Sequence, residues 1–340
     1  MEANTTQNLE TDVAIVGAGP VGLFSVFQLG MLKLRCVLVD ALSEIGGQCT
    51  ALYPEKPIYD IPAHPAIEAG ALITQLERQI EPFPAPRLLG RQVTGLSGTK
   101  GDFVLTTDRG DTVRAKAVLL AAGAGAFGPS RPPLDSLSAY EASGCVQYYV
   151  RRREDLRGKR VVIAGGGDSA VDWALALKDI AQVSLVHRRP KFRAAPESAE
   201  RLDKAARAGE LELVIPYQLH GLTGENGILA AVQVATLEGE VRVIEADALL
   251  PFFGLSMDLG PIAAWGLEQS LHHVKVNPAT CETSMPGVFA VGDVATYAGK
   301  LKLILQGFSE AAVAAHAIFS IVNPDQALHF EYSTSKGVPV

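Results

Sequence analysis

Apolar residues in this chain gather in short unbroken runs, and the order of the runs repeats. Residues 13–16 are apolar throughout, which at that length predicts a strand buried on both faces of a parallel sheet. The apolar stretch 21–32 predicts a helix, and 36–39 a second buried strand. The same succession restarts at residue 160, with a strand over 160–164, a helix over 170–179 and a strand over 183–186. Between the two copies, an amphipathic pattern predicts a helix over 66–81. Short stretches at 92–96, 103–107, 112–114 and 117–120 predict a meander of strands, punctuated by Gly98, Gly101 and Gly110. After the second copy come buried strands at 247–254 and 287–293, then an alanine-rich helix from 305 to 321. The repeated plan predicts an α/β fold of two Rossmann-like three-layer domains. The first is expected to be discontinuous, 1–124 with 251–340, and the second to be inserted over 125–250.

The turns inside the two copies carry chemistry. In the first, Gly17, Gly19 and Gly22 are spaced GxGxxG between strand and helix. The first glycine allows a tight turn, the second lets the backbone approach a pyrophosphate, and the third lets helix and strand pack closely. The pyrophosphate then lies against free amides at the positive end of the helix. The second strand ends in Asp40, about twenty positions on, placed to hold a ribose hydroxyl pair. In the second copy the fingerprint is Gly165, Gly167 and Ala170, and the following strand ends in His187-Arg188-Arg189. An acid there repels a 2′-phosphate, whereas Arg188 and Arg189 pair with it. The first copy therefore reads an unphosphorylated ribose, as in FAD or NAD, and the second reads NADP(H). The proline-rich loop after Gly46-Gly47-Gln48 carries Tyr53 and Tyr59, suited to holding a flat ligand.

The totals narrow the classes. A chain of 340 residues suits two domains, and its net charge of -7 argues against nucleic acid as the main partner. The polar N-terminus has no signal-peptide pattern, and the longest apolar run, the first dinucleotide helix, is too short for a bilayer. A cytoplasmic protein with no membrane partner is expected. Cys36, Cys49, Cys145 and Cys281 form no C-x-x-C, so the sequence encodes no metal site and no local redox pair.

Two nucleotide fingerprints, the Gly-Gly-Gln-Cys segment at 46–49 and Gly292-Asp293-Val294 make the chain resemble the two-dinucleotide-domain flavoprotein reductases, in size and order the thioredoxin reductase group. It departs from thioredoxin reductase at the chemistry. Where that group has C-x-x-C, this chain has Cys145 alone, and Cys49 is likewise single, with Pro54 in its partner's place. The segment Ala51-Leu52-Tyr53-Pro54-Glu55-Lys56 and the ending Tyr332-Ser333-Thr334-Ser335 are similar to the thioredoxin-reductase-like ferredoxin–NADP reductases, which lack the cysteine pair and carry a short C-terminal extension. That resemblance implies an oxidoreductase moving electrons between NADPH and ferredoxin or flavodoxin, by hydride exchange between nicotinamide C4 and flavin N5 followed by single-electron steps. It implies that Asp40 binds the adenosine ribose, that Gln48, Tyr53, Val93 and Phe127 line the flavin, and that Asp293 holds the ribityl chain. It also implies that Thr334 hydrogen-bonds near the ring, that Tyr53 stacks on one flavin face, and that Tyr332 covers the other from the partner of a homodimer. Hinges are expected near 123–128 and 251–254.

Three other readings share part of this pattern: an NADPH reductase of quinone, free flavin or ferric chelate; a disulfide reductase using Cys49 or Cys145 with an external thiol; and a flavin-bound redox sensor without turnover. The basic run 151–160, with Lys300 and Lys302, is a candidate surface for steering an acidic carrier, against the plainer reading of a solvated charged face.

Overall fold

The computed structural model describes residues 6–123, 125–328 and 337. Its contacts divide the chain into two compact units, Met1–Phe127 with Met257–Val340, and Gly128–Ser256.

The first unit is built on a seven-stranded sheet. Strand Asn8–Val16 lies at its centre, parallel to Cys36–Asp40 on one side and Thr112–Leu120 on the other. Alternation across the sheet assigns its residues to two cores. Val13 and Ile15 pack with helices Pro20–Met31, Ala69–Ile80 and Ile304–Val322, while Ala14 and Val16 join the opposite core with Val274, Val288 and Val294. Both faces are therefore apolar, which is why the strand reads as a continuous run. Strands Val93–Thr99 and Asp102–Thr107 extend the sheet as an antiparallel meander. The pattern predicts two strands at 112–114 and 117–120; the structure has one, Thr112–Leu120, its outer half paired with the meander and its inner half with Val288–Ala290.

The second unit has a four-stranded parallel sheet in the order Glu212–Val214, Gln182–Val186, Arg160–Ala164, Ala248–Pro251. Helix Asp168–Leu177 packs on it, and a three-stranded antiparallel sheet covers the opposite core through Leu229, Val232, Val234 and Ile244. Where the chain passes between the units, strands Ala126–Pro129 and Leu255–Asp258 pair with each other.

The longest apolar helix is Ile304–Val322, with 19 residues, not the first dinucleotide helix; by length and composition it is apolar enough to cross a membrane. Gly307, Ala311, Ala314, Ala315 and Ile318 are buried in the first unit's core, and Glu310 is buried on the same side. This face of the helix packs in the core.

Candidate functional site

At the carboxyl ends of its parallel strands the first unit encloses a cavity of about 330 Å³, within the range of small-molecule sites. The glycine turn forms one wall. Gly17 has a φ of +112°, and a Cβ there would run into the Ala121 carbonyl. A Cβ at Gly22 would run into the Gly17 carbonyl, so these two glycines are required by the fold itself. Gly19 differs: its backbone is ordinary, it precedes the helix without a side-chain cap, and no protein atom lies within 4 Å of where its Cβ would be. What a side chain there would occupy is the cavity. Gly47, at φ +56°, packs against Gly19, its would-be Cβ 3.2 Å from the Gly19 Cα.

Asp40 lies in the same wall. Its carboxylate accepts the Ala18 N–H at 2.5 Å and the Leu42 N–H at 2.7 Å, one on each oxygen. Each oxygen keeps acceptor capacity for a hydroxyl group. Burial raises its pKa above the usual carboxylate range, and the two backbone donors oppose the rise. Gln48, Tyr53, Val93 and Asp293 also line the cavity. Tyr53 is half-buried. Burial, the Cys49 thiol to which it hydrogen-bonds and the Asp293 carboxylate push its phenol above the usual range. Cys49 is buried, and burial pushes its thiol up to about 11.

Not all expectations meet here. Tyr59 is 62% exposed and does not line the cavity. The side chain of Phe127, with Tyr332 and Thr334, lies outside the described residues. Lys300, read from sequence as a surface cation, is buried in an ion pair with Glu310. Its charge is neutralised in the interior, so it is no steering residue. Residues without a sequence signal complete the lining, among them Arg91, Ile262 and Ile304. Arg91 Nε lies 2.7 Å from the fully buried Asp111 carboxylate, and the Arg91 N–H donates to the Asp40 carbonyl. Asp111 is twenty positions away, so only the folded sheet brings the pair together.

The second unit repeats the turn with different sterics. A Cβ at Gly165 would lie 2.7 Å from the Phe252 carbonyl oxygen and 2.9 Å from the Ala170 Cβ. One at Gly166 would enter the His187 ring, which stacks on Phe192 with 5.1 Å between centroids. Gly166 is therefore a steric requirement that the fingerprint spacing does not single out. Gly167 again has no protein atom within 4 Å of its would-be Cβ. Asp168 accepts the Ala195 N–H at 2.8 Å and ties down the loop that carries the arginines. Arg188 and Arg189 are exposed and form no salt bridge among the described residues. Burial, and then Arg188, Arg189 and Arg193, lower the pKa of His187, while a hydrogen bond to the Lys191 backbone opposes this.

Comparison with known proteins agrees with this architecture. Residues 11–317 match the family model of the pyridine nucleotide-disulphide oxidoreductases. The chain is 72% identical over 340 residues to the ferredoxin–NADP reductase of Granulibacter bethesdensis, covering 99% of this chain and 97% of that one. It is 72% identical over 334 residues to that of Acidiphilium cryptum, covering 98% of each. Among solved structures it is similar to thioredoxin reductase of T. acidophilum, with a TM-score of 0.80 at 22% identity over 92% of this chain and 98% of that one. That likeness establishes the two-domain Rossmann-like fold.

Proposed function

The chain belongs to the pyridine nucleotide-disulphide oxidoreductase family, and from that premise we propose that it is an FAD-dependent ferredoxin–NADP reductase. Electrons pass between NADPH and ferredoxin, or a flavodoxin in its place. The observation that carries this is the thiol at the cavity. Cys49 is the one cysteine in the lining; it is buried, free and protonated at neutral pH. A dithiol relay has nothing to work with there, so electrons must leave for an acceptor that takes them directly. The 72% identical relatives bearing the ferredoxin–NADP reductase name point the same way.

In this reading 1–124 with 251–340 is the FAD domain. Asp40 receives the adenosine ribose on its two remaining acceptor sites. Gly17, Gly19 and Gly22 bring the helix amides to the pyrophosphate. Gln48, Tyr53, Val93 and Phe127 line the flavin, Asp293 holds the ribityl chain, and Thr334 bonds near the ring. Tyr332 of the partner subunit in a homodimer covers the second flavin face. The domain 125–250 holds NADP(H), with Gly165, Gly167 and Ala170 at its pyrophosphate and Arg188 and Arg189 on its 2′-phosphate. When bound, the flavin supplies two-electron exchange with nicotinamide and one-electron exchange with the carrier. The chain's own residues position, stack and exclude water, and none needs to act as an acid or base. Free cysteines suit the cytoplasm.

Turnover with NADPH against purified ferredoxin, flavodoxin and quinone, side by side, tests the reading. Ferredoxin or flavodoxin is expected to give the highest kcat/KM. A quinone preference would replace the protein carrier with a small acceptor, and flavin that is not bleached by NADPH would reduce the protein to a sensor.

A further inference from the structure

Beneath the Gly292-Asp293 turn lies a buried polar cluster that takes no part in the lining. Glu310, on helix Ile304–Val322, is 4% exposed. One of its oxygens accepts the Gly292 N–H at 2.7 Å. The other accepts the Tyr297 hydroxyl at 2.7 Å and pairs with Lys300, whose side chain is 5% exposed. Gln306 donates to the Tyr297 oxygen at 2.8 Å, which leaves that hydroxyl's proton for Glu310. Among the described residues the carboxylate thus faces three donors. The backbone it grips is constrained: Gly292 has a φ of +72°, and a Cβ at Gly307 would lie 3.3 Å from the Gly292 Cα. The next residue, Asp293, is in the cavity wall.

We infer that Glu310 is a positioning residue for the flavin site: by anchoring the Gly292 amide it sets where the Asp293 carboxylate points. Lys300 supplies the countercharge. This rests on the flavin reading above and extends it to a residue that does not line the cavity. A buried carboxylate with three charged or polar donors is costly to create and is held only where its geometry is satisfied. The cluster's place, directly behind the cavity turn, gives it a task that packing alone does not explain.

The roles of the two charges separate by substitution. In E310Q the side chain keeps its shape but has one acceptor oxygen, and its amide must face a donor on one side. Tyr297 and Lys300 both donate from one side, so the new amide turns its oxygen to them and its NH2 to the Gly292 N–H, and the turn loses its anchor. In K300M the Gly292 anchor survives and the loss falls on the buried charge. FAD release on dilution of flavin-loaded protein, followed by fluorescence, measures the dissociation constant, and thermal unfolding measures stability. E310Q is expected to weaken FAD binding about tenfold or more, whereas K300M lowers Tm but leaves FAD binding within about threefold. If E310Q does not fold, the double variant E310M/K300M leaves neither a buried charge nor an acceptor for the Gly292 N–H and is expected to show the same weakened binding. FAD affinity matching wild type in E310Q, or in the double variant, or an equal loss in K300M, overturns the positioning role. Failure of the unaltered protein to take up FAD is a different result, because it removes the flavin reading and this inference with it.

Discussion

At the scale of single residues, the glycines divide by what enforces them. Gly17 and Gly22 are held by the backbone of their own unit, Gly166 by the His187 ring, and Gly19 and Gly167 by no protein atom within 4 Å. Gly17→Ala is therefore expected to cost at least about 3 kcal/mol, from a positive φ and a carbonyl clash together. Gly19→Ala and Gly167→Ala should leave the unfolding of the ligand-free protein unchanged. They should weaken FAD and NADPH binding, respectively, by about 1–3 kcal/mol, the usual cost of overpacking a close contact. Unfolding curves beside nucleotide titrations read both; a Gly19→Ala protein that is unstable without ligand would show that the fold, not the dinucleotide, demands the glycine. Arg188 and Arg189 make a sharper case, because they are exposed and form no salt bridge among the described residues. Replacing both by Ala is expected to raise the KM for NADPH by about tenfold or more, since charge-assisted bonds to phosphate contribute about 1.5–3 kcal/mol each. The KM for NADH should barely move, and an equal rise for both nucleotides would sink the 2′-phosphate assignment. These residues are legible because each fingerprint sits within one strand, one turn and one helix. Arg91 with Asp111, and Glu310 with Gly292, are not. Their partners are separated by 18 to 20 positions and meet only in the folded chain.

At the scale of elements, periodicity locates the strands and helices wherever core packing decides which of their faces are apolar. Its errors fall where pairing overrides pattern. The predicted helix over 66–81 forms only as Ala69–Ile80, because Ile67–Glu68 pairs with Pro57–Ile58 and Glu68 keeps an extended backbone. Helix Pro196–Arg207 and the antiparallel strands Gln218–Glu225, Ile228–Ala235 and Val241–Glu245 were not anticipated. That helix is polar over most of its surface and buries only Leu202 and Ala205 fully, so its apolar stripe is narrow. The short helix Gln48–Ala51 also escaped, inside what reads as a proline-rich loop, yet it fixes the thiol that bears on the chemistry. Its Cys49 is buried, and burial lifts the thiol to about 11. The thiolate is the reactive form, so alkylation of Cys49 in the folded protein should be very slow at pH 7 to 9 and rise only as the pH nears that value. Cys49→Ser is expected to retain electron transfer to ferredoxin. Rapid labelling at neutral pH coupled to loss of turnover would restore a thiol mechanism.

At the scale of the whole molecule, the net charge of -7 sets the terms for a protein carrier. If the carrier is an acidic ferredoxin, the mean field opposes its approach, and association must rely on a local basic surface. The run 151–160 looks strongly basic in sequence, but folding neutralises part of it. Arg157 pairs with Glu154, and Arg160 is held by Asp247 and Glu245. With Lys300 buried against Glu310, the exposed cations of this surface include Arg151, which lies over the Tyr149 ring at 5.3 Å, and Arg152, 3.9 Å from Asp155 and 69% exposed. Exposed charges of this kind act over about 8–10 Å at physiological salt, so their effect belongs to the association rate. Reversing both, Arg151→Glu with Arg152→Glu, is expected to slow reduction of ferredoxin several-fold at low ionic strength. The difference from wild type should shrink steadily as salt is added, because screening removes the steering in both proteins alike. Reduction of a small neutral acceptor needs no steering and should keep its rate at every salt concentration. An equal loss with ferredoxin and with the small acceptor would assign these arginines to the stability of the nucleotide unit, through Tyr149 and Asp155, and leave the docking surface to be sought elsewhere.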